Sequence, residues 1–451
     1  MKKILIVGLG ITGMGLIYFF KAEDVFIYAY DKQMRRTGEF SNLDLTDNVK
    51  LIIGQNPAGD EEVDEVYISP AVEMSADFVQ KFIERKIPVY GELELFCQGA
   101  DKKNIVSITG TNGKTTTCML TGSIYERCFG KEHVSLCGNI GHSIAKALKD
   151  TDGKNHYVVE ASSFQLEQIK DFAPHIGAIL NLEEDHISRH KSFEGYIRAK
   201  YRIFENQTAD DFLVLNHDDE ILRNMDEKLS SQIRYFSMKD KDIDGVYLDQ
   251  NDGYVYSTLS GKPEKLFSKD IINLIGAHNV QNVLAATLIA LLDGIDKKTI
   301  EGAVRDFSAP AHRMQEVAVI DQVRYINDSK ATNPASTIVA IQSIEKPIIL
   351  IAGGSDKGTS FDKFVMSFSD KIKALLLFGQ TKEIIAKTCD KHDFSDYIIL
   401  NSLKACVKFA SKISKPNDTV LLSPACASHD MYESYIQRGE EFCRLVKLLE
   451  N

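Results

Sequence analysis

The sequence is short of positive charge. Its 53 lysines and arginines are outnumbered by 64 aspartates and glutamates, giving a formal net charge of -11. A non-specific nucleic-acid binder needs the opposite balance to neutralise phosphates. Paired cysteines are missing too. Cys97, Cys118, Cys128, Cys137, Cys389, Cys406, Cys426 and Cys443 are scattered, with no C-x-x-C. That pattern excludes a zinc or disulfide framework and fits reduced, buried thiols. There is no repeat of fixed period and no low-complexity tract. Nor is there a long unbroken apolar run. MKKILIVGLGITGMGLIYFF opens like a leader, but Gly8, Gly10, Gly13 and Gly15 interrupt it, and no small-x-small cleavage site follows. The stretch is also too short and glycine-rich for a membrane span. A strand, a turn and a helix of a cytoplasmic protein are expected there.

What is present is alternation. Short apolar runs recur between amphipathic stretches, the pattern of α/β domains with mostly parallel sheets. ILIVG (4–8), FIYAYD (26–31) and VYIS (66–69) read as strands. A polar break around 91–104 ends the first group, and a new strand opens at Ile105. HYVVEAS (156–162), IGAILNL (176–182) and FLVLN (212–216) continue the second group, which closes with an apolar helix over 279–294. Pro310 sits among small residues in a linker. YIND (325–328), PIILIAGG (347–354), ALLLFG (374–379) and TVLLSPA (419–425) follow. Three domains are expected in 451 residues: 1–98, Rossmann-like; 99–308, a P-loop ATPase-like, mostly parallel sheet; and 309–451, Rossmann-like.

Two glycine loops carry chemistry. Gly8-x-Gly10-x-x-Gly13 follows a strand, and Asp31 ends the next one. Glycines let a pyrophosphate approach the backbone at a helix N-terminus, and the acid can bind a sugar hydroxyl. A tight turn that binds nothing, NAD, or another diphosphate-linked nucleotide would each explain it. TGTNGKTT (109–116) is more specific. Its backbone N–H groups form an anion nest, Lys114 can reach β/γ-phosphates, and the Thr115 hydroxyl can meet Mg²⁺. It departs from the strict Walker pattern because Ile108 stands where the first glycine belongs.

Other polar groups fall at strand ends, where open α/β sheets bind ligands. Glu160 could hold Mg²⁺ beside the phosphate loop or simply charge a helix N-terminus. Asp185 and His186 end the next strand. Lys200, in EGYIRAKYRIF, reads by composition as a solvated helical lysine. Asn279 and Asn282, one turn apart, could meet an adenine edge, or Asn279 could merely cap its helix. Arg313 follows the linker. Asp328 with Thr332, Lys357 and Ser428 mark three further strand ends in the last domain.

In order and spacing, GTNGKTT, CGNIG, VEASSFQLE, EEDHISRH, AHNVQN, AHRM, NDSKATNP and SPACAS resemble the Mur ligases over nearly the whole chain. ASSFQLE, SPACAS and GLGITG are most similar to the branch that adds D-glutamate. The resemblance implies ATP-driven amide formation through an acyl phosphate, with UDP-MurNAc-L-alanine, D-glutamate and ATP as small-molecule partners. It also implies no nucleic acid, no membrane insertion and a cytoplasmic monomer.

Residue by residue, it assigns Gly110, Thr111, Asn112, Gly113, Lys114, Thr115, Thr116, Asn279, Asn282, Arg313 and Asp328 to ATP. Two Mg²⁺ ions fall to Thr115, Glu160, His186 and Lys200, the last as a carbamylated lysine. Lys114, His186 and Lys200 are the catalytic set. Ile11, Thr12, Asp31, Lys32, Ser69, Asn139 and His186 go to the UDP substrate, so the first loop takes UDP rather than NAD. Thr332, Lys357, Ser428 and Tyr435 go to D-glutamate. Tyr435 stands where phenylalanine is expected, and Ala71 where glycine is expected. The third domain is expected to close over ATP. The alternatives are a sister ligase or a folylpolyglutamate synthetase-like ligase; the latter would not need the first domain. An NAD-dependent oxidoreductase would leave Lys114 and Asp328 idle.

Overall fold

A strand covered on both faces has no polar side to show, and the central strands here obey that rule. Ile105–Thr109 and Ile348–Ala352 are buried at every residue. The computed structural model describes residues 1–21, 23–33, 46–225, 229–345, 347–356 and 358–449. Within them the chain forms three sheets.

The first sheet has five strands in the order Val49–Ile53, Val25–Asp31, Lys2–Val7, Glu65–Ile68, Val89–Tyr90. All its pairs are parallel. The order reverses beside Lys2–Val7, which opens a crevice at the carboxyl end of that strand. The second sheet has nine strands. Ile105–Thr109 lies between His156–Glu160 and Ile176–Ile179, parallel to both, so three loop-bearing strand ends meet there. Its far edge is an antiparallel extension, Gly245–Asp249, Tyr254–Ser257 and Glu264–Ser268. The apolar-run reading missed this edge because its strands are short, half polar and rich in tyrosine. Helix Lys114–Phe129 follows the phosphate loop.

The third sheet has six strands. An antiparallel pair, Gln315–Ile320 with Val323–Asn327, joins parallel strands Thr419–Leu422, Ile348–Ala352, Ile372–Leu377 and Tyr397–Ile399. One apolar cluster lies on each face, built around Phe364 and Phe368 on one side and Phe442 and Leu403 on the other. The α/β class and the three-sheet architecture match the expectation. The chain divides into two compact units, Met1–Ile272 with Gln281–Phe307, and Asn273–Val280 with Ser308–Asn451. The first two sheets share the first unit, and one apolar cluster runs from Ile4 and Leu16 to Phe96, Tyr157 and Phe172. No helix among the described residues is long and apolar enough to cross a membrane.

The polar break of the sequence, GELELFCQGADKKN, is a joint rather than a loose linker. Glu94 is buried, and its carboxylate accepts backbone N–H bonds from Lys170 (2.6 Å), Asp171 (3.0 Å) and Phe172 (3.0 Å). A buried acceptor removed from three donors leaves them unpaired, at a cost of about 3 kcal/mol. Glu94→Ala is therefore expected to lower the unfolding free energy of the first unit by about that much, read as a lower urea midpoint at unchanged slope; an unchanged midpoint would remove this joint from the account.

Candidate functional site

The phosphate loop is shaped by two glycines in left-handed or extended-positive backbone, Gly110 (φ +147°) and Gly113 (φ +84°). Gly113 precedes Lys114–Phe129 with no side-chain cap, so the first N–H groups of that helix point toward an anion. A Cβ on Gly113 would come 2.3 Å from Asn282 Oδ1, so Asn282 closes the back of the loop. Asn181 fastens the front. Its Oδ1 accepts Asn112 N at 2.8 Å, and its Nδ2 donates to Asn112 O at 3.1 Å. Thr111 Oγ1 accepts Glu183 N at 3.0 Å and meets Tyr196 OH at 3.1 Å. Thr116 is buried one residue past Thr115.

Lys114 folds back on its own loop, donating to Gly110 O (2.7 Å) and Thr111 O (2.8 Å). Lys200 donates to the same Gly110 O at 2.9 Å and to Thr109 Oγ1 at 3.3 Å. It is 1% exposed, which corrects the solvated-helix reading of its composition. Its segment, Phe193–Tyr201, buries Tyr196, Ala199 and Lys200 on one face. Burial first, and the Lys114 ammonium second, push the Lys200 amine well below the ordinary lysine value.

Glu160 is 2% exposed at the end of its strand. One carboxylate oxygen accepts Thr115 Oγ1 at 2.8 Å and the other accepts Asn139 Nδ2 at 2.7 Å. A hydroxyl and a carboxylate beside a phosphate loop are the hard oxygen donors Mg²⁺ takes, together with ligand phosphates. No group of three His, Cys, Asp or Glu able to hold a metal occurs among the described residues, and Mg²⁺ at phosphates does not require one. His186, at φ +52°, lies with its ring 4.8 Å from Phe164 and 3.6 Å from Asp185.

A second layer escaped the sequence reading. Arg189 donates to Val72 O at 3.0 Å and to Glu167 Oε2 at 2.9 Å, over the Phe164 ring. Gln168 Nε2 donates to Ser69 O and Val72 O, each at 3.1 Å. Together they clamp loop 69–72 of the first sheet to the second. Their only sequence signal was position: Gln168 directly follows ASSFQLE and Arg189 lies within EEDHISRH.

In the first sheet, Gly8 (φ +88°) passes so close to Ser69 that a Cβ would meet Ser69 Oγ at 2.3 Å. Asp31 is buried and accepts Leu9 N at 2.9 Å and Gln33 N at 2.8 Å. Gly8, Gly10, Asp31, Lys32, Ser69 and Val72 line a cavity of about 560 Å³. Ile11, 80% exposed, begins helix Ile11–Phe20, and Thr12 faces Glu92. Burial pushes the Glu92 carboxyl up to about 7, against hydrogen bonds from Ala145 N–H and the Thr12 hydroxyl.

The second unit collects its own polar strand ends. Asp328 is buried, accepting Ser423 Oγ at 2.8 Å and Met314 N at 3.2 Å. Burial raises its carboxyl to about 7, with the neighbouring Arg313 pulling the other way. Ser428 is buried, Thr332 half-buried, and Tyr435 opens helix Tyr435–Lys447. Lys357 lies outside the described residues. Asn279 is an interior residue of helix Ala277–Leu292, donating to Ile275 O at 2.7 Å. The residues expected at ATP are thus divided, with Gly110 to Thr116 and Asn282 in the first unit and Asn279, Arg313 and Asp328 in the second.

Comparison with known proteins meets this geometry. Residues 2–91 match the Mur ligase MurD-like N-terminal domain, 108–290 the Mur ligase middle domain, and 312–426 the Mur ligase glutamate ligase domain. The UDP-N-acetylmuramoylalanine--D-glutamate ligase of Clostridioides difficile is 40% identical over 443 residues, covering 98% of this chain and 97% of its own. The same enzyme of Alkaliphilus oremlandii is 40% identical over 449 residues, covering 99% and 98%. Among solved structures, a UDP-N-acetylmuramate-alanine ligase from Thermotoga maritima superposes with a TM-score of 0.60 at 17% identity over 100% of both chains. A MurF ligase from Thermotoga maritima in complex with ADP also gives 0.60, at 14% identity, covering 100% of this chain and 95% of that one.

Glu92 yields a test by pH. Its carboxyl rises from 4.5 to about 7 on folding, so the folded chain holds a proton that the unfolded chain has released. The stability it contributes is complete below about 4.5 and is lost as pH rises through about 7. Glu92→Gln cannot ionise, so its denaturation midpoint should gain on the wild type as pH climbs through that window. A constant difference between the two proteins across it would remove the assignment.

Proposed function

The chain belongs to the Mur ligases, and from that membership we propose that it joins D-glutamate to UDP-N-acetylmuramoyl-L-alanine, driven by ATP. The observation that carries this reading is the 40% identity, over nearly the full length of both chains, to D-glutamate ligases. The setting is cytoplasmic peptidoglycan precursor synthesis, and the enzyme acts as a monomer on small molecules. Residues 1–98 take the nucleotide-sugar, 99–308 ATP, and 309–451 the amino acid.

A free carboxylate resists attack by an amine, so the reaction begins by making it a better electrophile. The substrate carboxylate attacks the γ-phosphorus of ATP, ADP leaves, and an acyl phosphate forms. The amine of D-glutamate then adds to the acyl carbon, and the tetrahedral intermediate expels phosphate. Positioning and charge neutralisation are the protein's share of such chemistry. The N–H groups of Gly110 to Thr116 cradle phosphates, and Lys114 moves from its loop carbonyls to the β/γ oxygens. Asn279, Asn282, Arg313 and Asp328 complete ATP binding. Thr115 and Glu160 fit one Mg²⁺, and His186 with a carbamylated Lys200 fits a second. Bound there, the ions would neutralise phosphate oxygens. Ile11, Thr12, Asp31, Lys32 and Ser69 hold the UDP end, and Asn139 and His186 the muramoyl end. Thr332, Lys357, Ser428 and Tyr435 hold D-glutamate.

The environment of Lys200 supports the carbamate. Only a neutral amine attacks carbon dioxide; the N–C bond forms, one proton leaves, and a carboxylate-like anion replaces a cation. Burial and Lys114 favour the neutral amine, and the product anion would be drawn to the same cationic surroundings.

Two measurements bear on this reading. Phosphate release with ATP, Mg²⁺ and UDP-MurNAc-L-alanine should require D-glutamate and fail with L-glutamate, L-lysine or meso-diaminopimelate. Release with one of those instead would overturn the amino-acid assignment. Lys200→Ala should nearly abolish turnover, with partial recovery when a short carboxylic acid is added; a normal rate would exclude the carbamate.

A further inference from the structure

Arg438 is among the largest fully buried side chains of the described residues, at 0% exposure. It lies in the first turn of helix Tyr435–Lys447, and none of its hydrogen bonds goes to a carboxylate. Nε donates to Ser329 Oγ at 3.0 Å, Nη2 to Ser329 O at 2.9 Å, and Nη1 to Ala427 O at 3.2 Å. Among the described residues no acidic group stands within ion-pair distance of it. Asp430, the acidic group that bears on it, spends its oxygens on Gln380 N (2.8 Å) and Ser355 Oγ (3.3 Å).

Those partners lie on two strand-end loops, and a third joins through one of them. Ser329 belongs to NDSKATNP, three residues before Thr332, and Ala427 immediately precedes Ser428. Ala427 O also accepts Ser355 N at 2.9 Å, which draws in the loop after Ile348–Ala352. Ser329 Oγ donates in turn to Tyr435 O at 2.8 Å. One planar fork therefore fixes the backbone beside Thr332, Ser428 and Tyr435 together. Gly354 leaves it room, since a Cβ there would come 3.2 Å from Nη1.

A guanidinium is costly to bury without a counter-charge. A neutral donor such as asparagine could satisfy the same carbonyls, so retaining the cation calls for a second reason. Within a low-dielectric wall its field extends to the ligand side of the loops, and the N-terminal end of its own helix adds to that field. An incoming ligand with one more negative charge would supply what the interior withholds.

We propose that Arg438 is the positioning and specificity-determining residue of the amino-acid site: it locks the three loops in register and its unneutralised charge selects a dicarboxylic amino acid over a neutral isostere. This rests on the D-glutamate reading above. Arg438 does not touch the ligand; it acts through the loops and through its field.

The test compares D-glutamate with D-glutamine, measuring KM and kcat for wild type, Arg438→Met and Arg438→Lys. Wild type should prefer D-glutamate. Arg438→Met should raise KM for D-glutamate and shrink the preference about tenfold, as expected for one charge acting across about 12 Å at an effective dielectric of roughly 20. KM for ATP and for the nucleotide-sugar should stay within about twofold, which a general loss of structure would not allow. Arg438→Lys keeps the charge but not the fork; it should raise KM for D-glutamate while retaining the preference, and it carries the test if the methionine variant does not fold. Equal preference in wild type and Arg438→Met, a lost preference in Arg438→Lys, or all three KM values rising together would overturn the proposal alone. A wild type that favours a neutral or basic amino acid would overturn the D-glutamate reading and the proposal with it.

Discussion

The amines of Lys114 and Lys200 converge on one oxygen, the Gly110 carbonyl, at 2.7 and 2.9 Å. Two ammonium groups cannot share so small a space at full charge, and the buried one yields. Burial first, and the neighbouring Lys114 second, leave the loop with one lysine on its rim and one buried amine that holds its proton less tightly than an ordinary lysine. The conflict also explains why the loop needs so many outside fasteners. Asn181 grips Asn112, Tyr196 and Glu183 grip Thr111, and Asn282 backs Gly113. Without them, the loop's backbone would follow its lysines.

Carboxylates at strand ends play different parts according to what surrounds them. Asp31 accepts the N–H groups of Leu9 and Gln33 and so shapes its loop. Glu160 is held between a hydroxyl and an amide, both of which can yield an oxygen to a ligand cation. Asp328 sits in a site so buried that its carboxyl holds a proton up to about 7. All three follow from parallel strands whose carboxyl ends open into loops. Burial and partners then divide their roles.

The first two sheets behave as one body because polar side chains cross between them. Glu94, Gln168 and Arg189 each bond backbone on the opposite segment. In the second unit Arg438 does the same for two loops. In each case a long side chain satisfies buried carbonyls or N–H groups that the loops cannot satisfy themselves.

The alternation of apolar runs was enough to read the α/β class and most central strands, since a doubly covered strand must be apolar throughout. The glycine loops, Glu160 and Asp328 were legible because their chemistry is local: a turn, a strand end, a neighbouring threonine. The tyrosine-rich edge strands were not, because half-exposed strands share their composition with loops. Lys200 looks solvated in its own helix, and only the packing of that helix against the phosphate loop buries it beside a second lysine. Arg189 is marked only by lying within EEDHISRH, and Arg438 carries no local mark at all. The sequence by itself determined which loops carry the glycine spacing of a phosphate site and which chain segments build sheets, because both are written in short-range spacing. Which charges are buried, and therefore which lysine holds its proton less tightly and which arginine has no carboxylate partner, was decided only by tertiary structure, because desolvation depends on neighbours far away in the chain.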